Sequence, residues 1–315
     1  MSVMTKMKVC MRIKSKAGVI DGKKIAATIR EEVAKRIAEL NEEAKKKGRS
    51  SFLPGLAVVI VGNRKDSMTY VRMKRKMCSE VGITSFHHEV KEDVEQDELL
   101  KLVMRLNQDK NVHGILVQLP LPKHINEEAV LSAISIEKDV DGFHPLNIGA
   151  LAMKGRTPMF GPCTPVGCLE LLRREGVELT GANCVVVGRS NIVGMPAALL
   201  LLKANATVTV IHSRTKKSDM RAILRRADVV IAAAGVPGMI QAGMLKYGCV
   251  VIDVGTNAID DPSKTSGYKL VGDVQYDSVA HVASKITPVP GGVGPMTIAM
   301  LLMNTLKSAE RDYFR

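Results

Sequence analysis

Apolar side chains recur every three or four residues in the segment that follows Asp21 and Gly22. The stripe runs through Ile25, Ile29, Val33, Ile37 and Leu40, among lysines, arginines and glutamates. This spacing places the apolar side chains on one face of a helix. Lysines at 45–47 favour a helix C-terminus through the helix dipole, so we predict that the helix ends there, before Gly48.

Short unbroken apolar runs then alternate with amphipathic stretches. The runs predict strands at 56–61, 86–90 and 113–119, and the stretches between them predict helices at 68–81 and 95–106. Unbroken β-branched runs are typical of strands that are buried on both faces. Alternation of strands and helices predicts parallel strands joined by right-handed crossovers.

Glycines and prolines concentrate at 139–165, which predicts a junction made of loops. A second alternating series follows it. Its predicted strands are 184–187, 207–211, 229–232 and 250–254, and a last helix is predicted from 297 to about 311. We therefore predict an α/β fold with two domains, in which the last helix packs back on the first half.

The composition agrees with a packed, soluble enzyme, because 46% of the 315 residues are hydrophobic and 24% are charged. No apolar run reaches the roughly 18 residues that a membrane span needs. The six cysteines show no CxxC spacing, so we expect reduced thiols and no metal site.

The net charge of +13 is unevenly distributed. Residues 1–50 contain fourteen lysines and arginines against six acidic residues. Aromatic side chains that could stack on bases make up only 3%, and no nucleic-acid-binding motif is present. We expect a solvated helix face or attraction for an anionic small molecule, and no nucleic acid or membrane partner. The basic residues 1–19 are interpreted as a flexible extension; a cytoplasmic location is expected, with a mitochondrial one as the alternative.

The predicted strand at 184–187 leads into a tight turn and a helix start, with the sequence GRSNIVGMP at 188–196. Such a turn directs free backbone N–H groups and the positive end of a helix dipole at one point, which predicts an anion site. Gly188 permits the turn, Gly194 permits close packing, and Arg189 and Ser190 add a charge and a hydroxyl. Because Ser190 replaces the second glycine of G-x-G-x-x-G, a purely structural turn is the rival interpretation.

The next predicted strand ends in His212, Ser213 and Arg214. Dinucleotide folds that bind NAD commonly have an acidic residue here, which holds the ribose 2′-hydroxyl. A hydroxyl and a guanidinium suit a 2′-phosphate instead. The sequence therefore favours NADP over NAD.

Three polar groups stand out in the first half. Tyr70 and Lys74 are four residues apart on a predicted helix and share a face, although an exposed amphipathic surface explains that spacing equally well. Gln118 ends a predicted strand, where α/β sheets commonly bind ligands. Asp139 and Asp141 share a loop, but no third metal ligand is evident nearby.

Six motifs in unbroken order resemble one known family. They are SxTYVxxK at 67–74, VQLPLP at 117–122, KDVDGFHP at 138–145, PCTP at 162–165, GRSNIVGMP at 188–196 and TPVPGGVGPMT at 287–297. The chain resembles, from about residue 20 to 307, the bifunctional methylenetetrahydrofolate dehydrogenase/methenyltetrahydrofolate cyclohydrolase family. Met68 departs from its pattern, where glutamine is frequent.

This resemblance implies roles for individual residues. The implied catalytic residues are Lys74, Tyr70, Gln118 and Asp141, and Gln118 is expected to hydrogen-bond Lys74. The implied substrate-binding residues are Ser67, Tyr70, Asp141, Pro290, Gly291 and Gly292. The implied cofactor-binding residues are Gly188, Arg189, Ser190, Ser213, Arg214, Thr164 and Thr256.

The resemblance also implies the organisation and the activity. A parallel-sheet substrate domain is expected at 20–163 with the helix at 297–315, a Rossmann-like NADP domain at 164–296, and a folate cleft between them. The implied enzyme oxidises 5,10-methylenetetrahydrofolate with NADP⁺ and hydrolyses the product to 10-formyltetrahydrofolate. A homodimer that accepts polyglutamylated folate is expected. The alternatives are a monofunctional or NAD-linked member of the family, and a non-catalytic nucleotide sensor.

Overall fold

The computed structural model describes residues 16–63, 65–264 and 267–314, without the side chains of residues 65–67, 69 and 70. The first half contains β1 (Gly18–Val19), α1 (Gly22–Lys46), β2 (Gly55–Val61), α2 (Lys65–Val81), β3 (Thr84–Val90), α3 (Gln96–Gln108), β4 (Gly114–Val117), α4 (Glu127–Ser132) and α5 (Pro145–Ala152). The second half contains α6 (Cys163–Arg174), β5 (Asn183–Val187), α7 (Gly194–Lys203), β6 (Thr207–Ile211), α8 (Lys217–Leu224), β7 (Val229–Ala232), β8 (Val250–Asp253), β9 (Asn257–Asp260), β10 (Tyr268–Val271), α9 (Tyr276–Val279), β11 (Lys285–Ile286) and α10 (Val293–Tyr313).

The predicted first helix is confirmed as α1. The side chain of Asp21 accepts a hydrogen bond from the backbone N–H of Lys24 at 3.0 Å, which caps the helix N-terminus. The apolar stripe predicted from the sequence is buried in α1, apart from Ile25, which is half-buried, and Lys45 and Lys46 occupy the last turn. Local capping and the burial of one face together explain why this segment is helical.

A three-stranded parallel sheet in the order β3-β2-β4 forms the centre of the first half. All seven residues of β2 are buried, as expected for a central strand that is covered on both faces. The backbone N–H of Gln118, just after β4, donates to the carbonyl of Val59 on β2 at 2.8 Å. The sheet thereby places Gln118 at its carboxyl edge.

A six-stranded parallel sheet in the order β1-β11-β8-β7-β5-β6 forms the second half. The strands predicted at 207–211 and 229–232 are confirmed with those limits as β6 and β7. Gly18 and Val19 pair with β11, so the end of the predicted N-terminal extension is a strand of this sheet. This corrects the prediction for those two residues, and residues 1–15 lie outside the described part of the chain.

The connection between the two halves is more regular than predicted. Helix α5 begins at Pro145 within the glycine- and proline-rich segment, where the side chain of His144 accepts from the backbone N–H of Leu146. Helix α10 begins at Val293, four residues before the predicted start, and packs against both α1 and α6. Among the described residues, no helix combines the length and apolar character that crossing a bilayer requires.

Candidate active site

A cleft of about 290 Å³ lies where the carboxyl edges of the two sheets meet. Elements from both halves of the chain supply its wall. Its polar lining residues are Lys74, Gln118, Asp141, Thr164, Thr256 and Thr297. Five of these six were predicted as site residues, on segments that are far apart in sequence.

Lys74 is buried, with 7% of its surface exposed, although lysine is normally a surface residue. Its Nζ donates a hydrogen bond to Oε1 of Gln118 at 2.9 Å. Nε2 of Gln118 donates in turn to the carbonyl of Leu119 at 2.9 Å, which orients the amide oxygen toward the amine. Burial lowers the pKa of Lys74, while the nearby carboxylate of Asp141 opposes that change. The result is a positioned amine that releases its proton more readily than an exposed lysine.

Asp141 is the second charged group of the cleft. Burial raises the pKa of Asp141, and the charge of Lys74 acts in the opposite direction. The thiol of Cys163 donates to the carbonyl of Val140 at 3.3 Å, and Nδ2 of Asn304 donates to the same carbonyl at 2.8 Å. These two contacts hold the backbone immediately before Asp141.

Cys163 and Asn304 were missed as site residues by the sequence analysis. Burial raises the pKa of the Cys163 thiol well above its ordinary value, so this cysteine stays protonated and serves as a hydrogen-bond donor. The PCTP motif contains Cys163, but nothing in that motif shows that it lies beside Asp141. Asn304 lies on α10 with no local motif at all.

Asp139 is only 2% exposed and organises the loop that carries Asp141. Its Oδ1 accepts from the backbone N–H of Phe143 at 3.2 Å, and its Oδ2 accepts from His144 at 2.8 Å and from Nδ2 of Asn147 at 2.8 Å. Within the described part of the chain, no group of three or more potential metal ligands occurs. The carboxylate of Asp139 is therefore engaged in shaping the loop.

Replacing Asp139 by asparagine should flatten the dependence of stability on pH. Burial raises the pKa of Asp139 from 3.8 to about 6. A carboxyl whose pKa is raised by folding contributes its full stabilisation below the unfolded pKa and loses it as the pH rises through the folded pKa. Between pH 4 and pH 7, wild type should lose about 2 kcal/mol relative to Asp139→Asn.

Calorimetric melting of both proteins across this pH range measures that difference. Asp97→Asn, which changes an exposed carboxylate on α3, is the matched control. If stability changed with pH in the same way in wild type and Asp139→Asn, a raised pKa of Asp139 would be contradicted.

The turn after β5 has the geometry that its glycines predicted. Gly188 has φ +123°, and a Cβ at this position would collide with the carbonyl oxygen of Ala233 at the end of β7. A Cβ on Gly194 would collide with the carbonyl of Gly188 itself. Both positions therefore require glycine, which lets a helix start pack closely against a strand end.

Ser190 caps the start of α7. Its Oγ accepts hydrogen bonds from the backbone N–H groups of Val193 at 3.2 Å and Gly194 at 3.3 Å. The hydroxyl proton of an accepting serine remains available to donate. Arg189 beside it is exposed. The turn therefore offers a hydroxyl donor and a guanidinium to an anion, and it fits a nucleotide phosphate.

Strand β6 lies directly beside β5, with Val187 paired to Ile211. After β6 the chain turns sharply, because Nδ1 of His212 accepts from the backbone N–H of Arg214 at 3.2 Å. Ser213 and Arg214 are exposed there. The segment 212–217 is HSRTKK and contains no carboxylate, so its charge suits a phosphate at this edge of the sheet.

The remaining predicted residues have different placements. Oγ1 of Thr164 and Oγ1 of Thr297 are 2.9 Å apart in the cleft. Pro290, Gly291 and Gly292 immediately precede α10, where the carbonyl of Gly291 accepts from the backbone N–H of Lys23 at 3.0 Å. The predictions for Ser67 and Tyr70 concern side chains outside the described part of the structure.

Two family profiles match the chain. The profile described as tetrahydrofolate dehydrogenase/cyclohydrolase, catalytic domain, matches residues 20–141, and the profile described as tetrahydrofolate dehydrogenase/cyclohydrolase, NAD(P)-binding domain, matches residues 162–313. Among curated relatives, bifunctional protein FolD 2 of Arabidopsis thaliana is 63% identical, over 94% of this chain and 97% of the relative.

Solved structures are similar over nearly the whole chain. The methylenetetrahydrofolate dehydrogenase-cyclohydrolase of Trypanosoma brucei, complexed with NADP cofactor and inhibitor, is 47% identical with a TM-score of 0.90, covering 96% of this chain and 100% of that one. The NAD-dependent 5,10-methylenetetrahydrofolate dehydrogenase of Saccharomyces cerevisiae is 22% identical with a TM-score of 0.75, covering 95% and 99%. This second likeness shows the shared fold alone.

Proposed function

The chain belongs to the tetrahydrofolate dehydrogenase/cyclohydrolase family. We propose that it catalyses both the dehydrogenase and the cyclohydrolase reaction in one cleft. It oxidises 5,10-methylenetetrahydrofolate to the methenyl compound with NADP⁺ and hydrolyses that compound to 10-formyltetrahydrofolate. The observation that carries the proposal is the buried hydrogen bond from Lys74 to Gln118, in a cleft that the nucleotide-binding half also lines.

Lys74 and Gln118 serve the hydrolytic step. Water adds to the cationic one-carbon bridge of the methenyl compound and loses a proton. The bond from that carbon to N5 then breaks as the hydroxyl proton of the adduct moves to N5, which leaves the 10-formyl compound. A neutral Lys74 accepts the proton that the attacking water loses, which its lowered pKa favours, and Gln118 keeps the amine pointed into the cleft. Burial of Lys74 strengthens these contacts, because the local dielectric is lower than that of water.

Asp141 positions the folate ring. A carboxylate accepts two parallel hydrogen bonds from the paired donors of an amino-pyrimidine, which fixes the pterin in the cleft. Bound NADP⁺ supplies a hydride acceptor, so the protein's contribution to oxidation is to orient the one-carbon bridge. Ser67 and Tyr70, both on α2, are also proposed to bind the substrate.

The dinucleotide is held by the turn after β5, by Thr164 and Thr256 in the cleft, and by the segment after β6. Ser213→Ala and Arg214→Ala should each raise the KM for NADP about tenfold or more, because each removes a donor to the 2′-phosphate. The KM for NAD, which lacks that phosphate, should change less than about twofold. Arg221→Ala, an exposed arginine on α8, is the control. Equal increases in the KM for NADP and for NAD would contradict the proposal that Ser213 and Arg214 bind the 2′-phosphate.

A spectrophotometric assay of the purified protein tests the function as a whole. Methylenetetrahydrofolate is supplied with NADP or NAD, and the absorbance of the reduced nucleotide and of the methenyl compound is followed. Reduction of NADP with little methenyl accumulation supports both activities. Lasting accumulation identifies a monofunctional dehydrogenase, preference for NAD identifies the NAD-linked alternative, and no reduction of either nucleotide refutes the proposal.

A homodimer through the nucleotide-binding half is proposed. Strand β6 is the edge of the six-stranded sheet, and Leu202 on the neighbouring helix α7 is 53% exposed. An unpaired strand edge beside an exposed leucine is suited to self-association. Light scattering on the protein as it elutes from a size-exclusion column measures its molar mass. A monomer at micromolar concentration would exclude the dimer.

Polyglutamylated folate is the proposed natural form of the substrate. Residues 1–50 contain fourteen basic and six acidic residues, and the start of α1 contacts Gly291, two residues before the cleft-lining Val293. Carboxylates of a polyglutamate tail are attracted to such a basic surface. A lower KM for the pentaglutamate than for the monoglutamate, diminishing with added salt, is the expected result.

A cytoplasmic location is proposed, with the mitochondrion as the alternative. Residues 1–19 contain five basic residues and no acidic one, a composition that is compatible with either compartment. Curated relatives include one of Arabidopsis thaliana that is named mitochondrial and is 54% identical. Fluorescence microscopy of the full chain, fused at its C-terminus to a fluorescent protein, distinguishes the two compartments.

A further inference from the structure

Two buried carboxylates lie below the cleft at the carboxyl edge of the six-stranded sheet. Asp253 is the last residue of β8 and is 3% exposed, and Asp273 follows β10 and is fully buried. Neither side chain lines the cleft or belongs to a motif that the sequence analysis used. Buried carboxylates need several hydrogen bonds to be tolerated, so their partners show what they hold in place.

Asp273 joins two separate loops. Its Oδ2 accepts from the backbone N–H groups of Ala234 at 2.6 Å and Gly235 at 2.9 Å, in the loop after β7. Its Oδ1 accepts from Nδ2 of Asn257 at 2.9 Å, at the start of β9 and directly after Thr256. A single carboxylate therefore ties the loop after β7 to the loop after β8.

Asp253 holds the backbone of Asp273. Its Oδ1 accepts from the backbone N–H groups of Gly255 at 3.1 Å and Asp273 at 3.0 Å, and its Oδ2 accepts from that of Val274 at 3.0 Å. A Cβ on Gly272 would collide with the Asp253 carboxylate, and one on Gly255 would collide with that of Asp273. The backbone thus packs directly onto both carboxylates.

The two loops reach the functional surfaces of the nucleotide-binding half. Val254 and Thr256, after β8, line the cleft that also contains Lys74. The carbonyl of Ala233, immediately before the residues bound by Asp273, abuts Gly188 in the nucleotide turn. Movement of these loops would change the cofactor side of the cleft and leave the Lys74–Gln118 hydrogen bond on the other half intact.

We propose that Asp273, held by Asp253, is a positioning residue that sets the cofactor-facing wall of the cleft and thereby supports oxidation but not hydrolysis. The proposal rests on the proposed function, since it uses the two activities as separate reporters. Cyclohydrolysis of supplied methenyltetrahydrofolate needs no nucleotide, so it reports on the fold and the folate site alone.

Asp273→Asn should lower the dehydrogenase kcat/KM for NADP about tenfold or more, because small misplacements of a reacting group have large rate effects. The NADP dissociation constant, measured by calorimetry without substrate, should rise at least about threefold. The cyclohydrolase kcat should stay within about twofold of wild type. Parallel loss of both activities would mean a merely structural role and would overturn the proposal, as would an unchanged dehydrogenase.

Asn257→Ala is the second variant, and it decides the question if Asp273→Asn does not fold. It removes one of the three hydrogen bonds to Asp273 and should shift the same measurements in the same direction by a smaller factor. Asp228→Asn is the matched control, because Asp228 accepts from the backbone N–H of Asn183 at the amino edge of the same sheet. It should leave both activities and the NADP affinity unchanged. If wild type reduces no nucleotide, the proposed function fails, while the calorimetric NADP affinities of the variants still test the positioning role.

Discussion

Lys74→Met is expected to reduce cyclohydrolase activity by about 10²- to 10⁴-fold, the range that positioned proton-transfer groups contribute. The amine of Lys74 is the only ionisable nitrogen among the cleft-lining residues that the structure describes, and Gln118 orients it. Methionine keeps the length and apolar stem of the side chain but cannot accept a proton. Decay of methenyltetrahydrofolate absorbance, corrected for the uncatalysed rate, measures the loss.

The fold should survive this substitution. Burial disfavours the charged form of Lys74, as its lowered pKa shows, so removing the amine also removes a desolvation cost. The melting temperature should therefore fall little, and NADP affinity should be unchanged. Lys76→Met on the same helix is the control, because the side chain of Lys76 is 74% exposed. Retained hydrolysis in Lys74→Met, with a normal melting temperature, would refute the role of Lys74.

The sequence was most informative where burial imposes a pattern. Strand β7 has the predicted limits because a strand covered on both faces must be apolar over its whole length. Strand β6 is an edge strand and mostly half-buried, and its limits follow from an unbroken run of β-branched residues. The hairpin of β9 and β10 was not predicted, since its strands are exposed or half-buried and polar. Strand β1 has only two residues and depends on β11, about 270 residues later in the chain.

In the candidate site, too, local features were predicted from the sequence and long-range contacts were largely missed. Gly188 and the segment after β6 are recognisable locally, because a turn and its neighbouring strand follow each other along the chain. The hydrogen bond between Lys74 and Gln118 joins residues 44 positions apart, so no local pattern shows it, and it was predicted from the family resemblance alone. Asn304 and Asp273 act through backbone groups of distant loops. Such contacts depend on tertiary packing and leave no local periodicity.

Gly188→Ala is expected to weaken NADP binding by about 100-fold or more, which corresponds to about 2.7 kcal/mol. Two separate costs act at this position. The backbone has φ +123°, where a residue with a Cβ is strained by about 1 to 3 kcal/mol. The new Cβ would also collide with the carbonyl of Ala233, so the turn or the end of β7 must move. Either movement displaces the turn that is proposed to bind the nucleotide phosphate.

Calorimetric titration with NADP measures this loss, and cyclohydrolase activity shows whether the folate half is preserved. Gly181→Ala is the matched control: Gly181 has φ +72°, but a Cβ there would contact nothing within 4 Å. A positive φ makes alanine costly to stability at both positions, whereas the collision in the nucleotide turn occurs only in Gly188→Ala, so only that variant should lose NADP affinity. Equal NADP affinity in the two variants, with hydrolysis intact in both, would show that close packing at Gly188 is not what builds the nucleotide site.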